Sequence, residues 1–442
     1  MKNFEQFIGS FSFDWRLAKA DIEGSAAHVK MLVKTKILTA SDGAKIIKGL
    51  SSILKDIEKG RQLPKEEDIH YAIEKELIKR IGPVGGKMHT ARSRNDQVAT
   101  DLRIYLRTEI LSTIKMISAL QSVLADKAGK SVDVIMPGYT HLQPAQPVLG
   151  AHYLLAYAWM LQRDKERLSD CLKRVNVLPL GSAALAGTSF KIDRNYTAKL
   201  LKFDSITQNS LDAVSDRDFA CEYVFDLSLI AAHLSKFAEE IIIWSSAEFG
   251  FIKIGDIFTS GSSIMPQKRN PDCAEIIRGK SGRVFGDLTA LLTIIKALPL
   301  AYNRDLQEDK PPVFDATDTV KLCLEVMTDM MNSFSFNGEK TLKSTQKGFI
   351  QATEIADYLA RKNIPFRTAH ATVKNIVNYC IKKEKTLNEL SIKEYKTFSN
   401  EIEKDIFKFI NIENIINAKN SYGGTSKKSV LKQIADIKKC IK

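Results

Sequence analysis

The sequence predicts an all-α protein built on a long central helical bundle, and three observations carry that prediction. From Leu211 to Phe249 the apolar residues Phe219, Tyr223, Leu227, Ile230, Leu234, Phe237 and Ile241 recur by threes and fours, which makes one continuous stripe on a helix. Val98 to Ala128, Val148 to Val175 and Cys273 to Leu298 have the same character, each after polar or Pro-containing sequence able to start a helix. Neither terminal region shows the period-two alternation of a sheet domain.

In chain order, the first 93 residues read as a helical domain of shorter segments, Asp21 to Lys36 and Ala44 to Lys59, broken by Gly and Pro. Residues 94–346 hold the long helices. Roughly 40 residues of helix reach about 60 Å, so each needs long neighbours to bury its stripe. Glycines at 279, 282 and 286 imply close helix packing there, since each costs up to about 1 kcal/mol relative to Ala. Residues 347–442 read as a third domain of short helices in Lys-rich sequence.

Composition excludes several classes. With 442 residues, 44% hydrophobic and 26% charged, and only 23 Gly and 12 Pro, the chain is neither a stapled mini-protein nor a fibrous or disordered one. The net charge of +13 comes from scattered lysines rather than a basic run with interleaved aromatics, so no nucleic-acid partner is expected. The six cysteines are far apart and form no C-x-x-C pair, as in a reduced cytoplasmic protein. The start lacks a signal-peptide core, and no apolar run is long enough for a membrane span. No phosphate loop, H-E-x-x-H, G-x-S-x-G or grouped His/Asp set appears, so neither cofactor nor metal is expected.

Four polar, Gly- or Pro-bearing segments interrupt the helical pattern: 87–97, 136–147, 179–188 and 261–272. Taken singly, each also fits helix caps and loop material. Together they carry more. Gly261-Ser-Ser-Ile-Met-Pro-Gln-Lys-Arg-Asn-Pro271 closely resembles the signature loop of the fumarase/aspartase superfamily. His89-Thr-Ala-Arg-Ser-Arg-Asn-Asp-Gln97, Thr140-His-Leu-Gln-Pro144, Asn209-Ser-Leu-Asp-Ala-Val-Ser-Asp-Arg-Asp218 and Gln267 are similar to the argininosuccinate lyase branch. The likeness runs from about Ser10 to Ser421-Tyr-Gly-Gly-Thr425. It departs in lacking the family's Leu-Trp-Gly-Gly-Arg-Phe start and in having Ala91 and Ala183 where Gly is general, which matters if those backbones are left-handed.

The resemblance implies a three-domain fumarase/aspartase-like fold. Its reaction would be carbon–nitrogen elimination on argininosuccinate, giving arginine and fumarate, the last step of arginine biosynthesis. It makes Ser262 the proton-abstracting base on a mobile loop, with Lys268 and nearby backbone N–H groups favouring its anionic form. His141, oriented by Glu275, manages the proton at the leaving nitrogen, or is itself the base. Asn270 binds a substrate carboxylate. Ser10, Arg94, Asn95, Thr140, Tyr302, Gln307 and Lys310 are the other substrate contacts, while Asp14 or Asp68 faces the cationic end; His70 is given no catalytic role.

If successive long helices alternate direction, the motifs preceding Val98 and Val148 fall at opposite ends, and one site needs several chains. That agrees with the superfamily's homotetramer and shared sites. The rival readings are an adenylosuccinate lyase, opposed by Gln267, and a non-catalytic structural relative, opposed by retention of Ser262, Lys268, His141 and Glu275.

Overall fold

The computed structural model describes Phe4 and residues 7–441, and helices make up 68% of the chain. Three helices of ordinary length come first: α1 Ala18–Lys34, α2 Ala40–Glu58 and α3 Ile69–Ile81. Their starts are chemically marked. The Thr39 hydroxyl accepts the Asp42 N–H at the head of α2, and the Asp68 carboxylate accepts the Tyr71 N–H at the head of α3.

Five long helices follow: α4 Arg94–Lys130, α5 Gly150–Val175, then, after the short helix Arg194–Leu201, α6 Asp218–Ser245, α7 Asp272–Ile295 and α8 Lys310–Ser333. The 37 residues of α4 give it a length of about 55 Å. The helix expected from Leu211 to Phe249 is divided. A short helix, Ser210–Ser215, ends where the Asp216 side chain takes the Asp218 N–H and so caps α6. All seven residues of the apolar stripe lie within α6, so the stripe itself begins after this break and the expected helix started too early.

The chain folds into two compact units, the first comprising 1–115, 164–232 and 280–322 and the second 116–163, 233–279 and 323–442. Each of the five long helices contributes residues to both, so the first unit holds the N-terminal halves of α4, α6 and α8 and the C-terminal halves of α5 and α7. Within the first unit, Ala20, Ala27, Ile104, Leu178, Leu180, Ala198, Leu201 and Phe203 form one buried cluster. In the second, helices α9 Ala352–Arg361 and α10 Phe366–Lys383 pack with the segments to Ile410 around Tyr358, Ile376 and Tyr395.

The expectation of close packing at the α7 glycines fails within the chain. A Cβ on Gly279, Gly282 or Gly286 would meet nothing within 4 Å, and the same helix exposes Ile276, Phe285 and Leu292 by 58%, 43% and 50%. Helix α7 thus carries an apolar surface that the described residues leave uncovered. Among the described residues, no helix is long and apolar enough to cross a membrane.

Candidate active site

The sequence-derived residues divide between the two units. Ser10, Arg94, Asn95, Tyr302, Gln307 and Lys310 belong to the first, and Thr140, His141, Ser262, Lys268, Asn270 and Glu275 to the second.

All six of the first group line one cavity of about 370 Å³, joined by Asp14, Glu67, Asp68, His70 and Arg304. The loop before α3 builds one wall. The Ser10 N–H donates to the Glu67 carbonyl (2.8 Å), and its hydroxyl donates to Asp14 Oδ2 (2.6 Å), while Asp14 Oδ1 accepts the Ile69 N–H (3.1 Å). Burial pushes the Asp14 carboxyl up, against the pull of His70 and Ser10. Asp68 uses its second oxygen on Arg94 Nε at 3.1 Å. Asp14 and Asp68, expected at a cationic end, thus stand on this wall with their oxygens bonded to Ser10, Ile69, Tyr71 and Arg94.

The opposite charge comes from α8. Lys310, its first residue, is only 3% exposed and donates to Asp309 Oδ1 at 2.8 Å. Asp309 also accepts from Arg217 Nε, and both members of that pair are completely buried. Burial works against the Asp309 charge, yet Lys310 and Arg217 hold its carboxyl below the usual range. The three ions sum to one net positive charge at the cavity wall. Burial also raises the Tyr302 phenol, keeping it a neutral hydrogen-bonding group.

Asp96 organises the start of α4. Its Oδ1 accepts the Ser93 N–H (3.0 Å), its Oδ2 accepts the N–H groups of Gly181 (2.9 Å) and Ala183 (2.8 Å), and Asn95 Nδ2 donates to the Ala184 carbonyl (3.0 Å). This ties segment 179–188 to segment 87–97. Ala91 and Ala183 have φ of 61° and 52°, so the two places where alanine replaces the family's glycine do require the left-handed conformation.

In the second unit, β1 Ile135–Thr140 and β2 Gln143–Leu149 form an antiparallel hairpin in which Thr140 pairs with Gln143. His141 and Leu142 are the two-residue turn, with φ of 55° and 56°. A turn with two positive φ values normally takes Asn-Gly, so a histidine and a leucine there are held against their preference. Both are exposed, Leu142 by 68%. The hairpin's base is pinned by Thr425, whose hydroxyl accepts the Leu149 N–H at 2.9 Å, and its second strand by Gly348, where a Cβ would lie 3.1 Å from Pro144. The Ser421-to-Thr425 and Gly348-to-Thr353 motifs thus act on the hairpin that displays His141.

Ser262 lies in a loop closed by the pairs Ser260–Asn270 and Gly261–Arg269. Its Oγ accepts N–H bonds from Ile264 (3.3 Å) and Met265 (3.0 Å). Lys268 is exposed on the same loop, Asn270 is half-buried at its end, and Glu275 is exposed on the first turn of α7. Among the described residues, no hydrogen bond joins Glu275 to His141. Asp21, His70 and Asp101 of the first unit are the only grouping there with metal-ligand chemistry. His70 Nδ1 lies 3.1 Å from Asp101 and 3.4 Å from Asp21, so the imidazole fills that space as the cation itself.

The sequence reading gave no role to Arg304, Glu67 or Asp309. Asp96 lay within the 87–97 segment as cap material and Arg217 within the Asn209-to-Asp218 motif, neither with a place in the site.

Comparison with known families makes this mainly helical chain a lyase: the Lyase family matches residues 2–286, and the argininosuccinate lyase C-terminal family matches 349–417. The argininosuccinate lyase of Syntrophus aciditrophicus is 54% identical over 98% of this chain and 92% of that protein, and that of Acetivibrio thermocellus 53% over 98% and 95%. A crystal structure of EDDS lyase in complex with formate shares 29% identity and superposes with a TM-score of 0.88, covering 96% of this chain and 86% of that one. The chain belongs to the argininosuccinate lyase family.

Proposed function

We propose that this chain carries out its family's reaction, elimination of arginine from argininosuccinate to leave fumarate, with Ser262 as the base. The observation that carries the base assignment is the pair of backbone N–H groups already donating to Ser262 Oγ. A serine hydroxyl is a poor base. Hydrogen bonds to its anion and the nearby Lys268 ammonium both favour the alkoxide, more strongly once closure of the loop excludes water. The anion takes the proton from the carbon beside a substrate carboxylate. Charge then builds on that carboxylate, and Asn270 and Thr140 supply hydrogen bonds to it. His141, with Glu275 orienting its ring, delivers a proton to the departing guanidino nitrogen.

The cavity of the first unit binds the substrate. Arg94 and Lys310 suit carboxylates, Asp14 and Asp68 suit a cationic end, and Ser10, Asn95, Tyr302 and Gln307 add neutral hydrogen-bonding groups. The reaction needs acid–base and electrostatic groups alone, without metal or organic cofactor.

The working form in this reading is a cytoplasmic homotetramer of three-domain subunits with shared sites. The uncovered apolar surface of α7 supports an assembly, because a second copy gives the open glycines the close neighbours they lack. Fumarate absorbance tests the whole reading: argininosuccinate yields fumarate and adenylosuccinate does not. No fumarate from argininosuccinate at any concentration overturns it.

A further inference from the structure

Below the cavity of the first unit lies a buried polar chain to which the reaction as described gives no part. Arg94 Nη1 donates to Gln97 Oε1 at 2.6 Å, and Gln97 Nε2 donates to Asp21 Oδ1. Asp21 and Asp101 flank His70 Nδ1, an ion pair spread over two oxygens rather than one directed hydrogen bond. Gln97 is 2% exposed, and Asp21, His70 and Asp101 are 1% exposed or less. His70 Nε2 is buried without a partner, so the cluster leaves part of its hydrogen-bonding capacity unmet. Such an arrangement costs more than apolar packing of the same volume.

We propose that Gln97 is a positioning residue of the substrate pocket, its amide locked by the Asp21–His70–Asp101 cluster so that its oxygen holds and aims the Arg94 guanidinium. The orientation follows from donor and acceptor chemistry. An ionised Asp21 can only accept, so the NH₂ end of Gln97 must face it, and the carbonyl oxygen is left for Arg94, which can only donate. A reversed amide sets acceptor against acceptor and donor against donor. His70 keeps Asp21 ionised: burial works against its own charge, but the two aspartates push it up to about 10. On the far side, Asp68 takes Arg94 Nε, so the guanidinium is held at two nitrogens. Nη2 makes no protein hydrogen bond among the described residues and is left for a substrate carboxylate.

This rests on Arg94 as a substrate contact, and a double-mutant cycle separates the two ideas. Gln97→Met is expected to raise KM for argininosuccinate about tenfold or more with kcat little changed, the loss of a hydrogen bond to a charged group. Arg94→Gln raises KM as well. In the double variant, Gln97→Met adds nothing to Arg94→Gln, because Gln97 acts only through that guanidinium. Effects on KM that multiply, or a Gln97→Met enzyme that loses thermal stability with an unchanged KM, overturn the proposal. Should Gln97→Met fail to fold, Gln97→Ala carries the same cycle, since it likewise removes the oxygen that holds Arg94. A wild-type KM in Arg94→Gln removes Arg94 from the substrate site and this proposal with it, while a raised KM there combined with multiplying effects removes this proposal alone.

Discussion

The two regions that carry the reactive motifs are built in opposite ways. In the first unit the candidate groups are enclosed and already fixed: Lys310 is 3% exposed against a buried Asp309–Arg217 pair, and Arg94 is held by Gln97 and Asp68. In the second unit they are displayed. His141 stands on an exposed hairpin turn, and Ser262, Lys268 and Asn270 on a loop in which Ile264 is 83% exposed. The candidate substrate contacts of the first unit are thus enclosed, whereas the candidate acid–base groups of the second are exposed or half-buried. That difference fits the roles proposed for them, since binding gains from fixed charges, whereas a serine base gains from being enclosed only when substrate is present.

The largest effect should come from the displayed region. Ser262→Ala and His141→Asn should each lower turnover by about 10²–10⁴-fold, measured by fumarate absorbance. His141→Asn should leave the thermal midpoint unchanged or raise it, because Asn tolerates a positive φ better than His. A Ser262→Ala enzyme that keeps more than about a tenth of its turnover would give the base role to His141 or another group. Co-refolding the two inactive variants sharpens the comparison. If the two residues meet only between subunits, partial activity returns in mixed oligomers, and verified mixtures without recovery would assign both residues to one chain.

The enclosed region should fail differently. Arg217→Met leaves Asp309 buried with Lys310 as its only cation, and breaking a buried ion pair costs about 3–5 kcal/mol, read as a lower urea midpoint. A variant as stable as the wild type would show that Lys310 alone satisfies Asp309.

The smallest effect lies in the turn chemistry around α4. Ala91→Gly and Ala183→Gly should each raise unfolding stability by about 0.5–1 kcal/mol, since left-handed backbone strains alanine while glycine loses more freedom on folding. Equal or lower stability in both would mean that neither alanine is strained.

Much of this molecule was legible in its residues. A heavy helical period over four stretches determined the all-α class, because a stripe of threes and fours can be buried only as a helix. Four short polar segments pointed to the candidate site, because dense Gly, Pro and charged chemistry has no reason to interrupt long helices unless it does something. Of the six expected contacts that line one cavity, Arg94 and Asn95 come from those segments, while Ser10, Tyr302, Gln307 and Lys310 came from the family resemblance alone. What the tertiary structure alone decided is where local pattern gives way to distant partners. Arg217 stands between the short helix and α6, and its guanidinium turns in to Asp309, 92 residues away. The α7 glycines read as a packed helix face and prove open among the described residues, because the spacing of glycines along a helix does not record what packs against them. The left-handed Ala183 likewise gives its N–H to Asp96, 87 residues away, a contact that no run of neighbouring residues encodes.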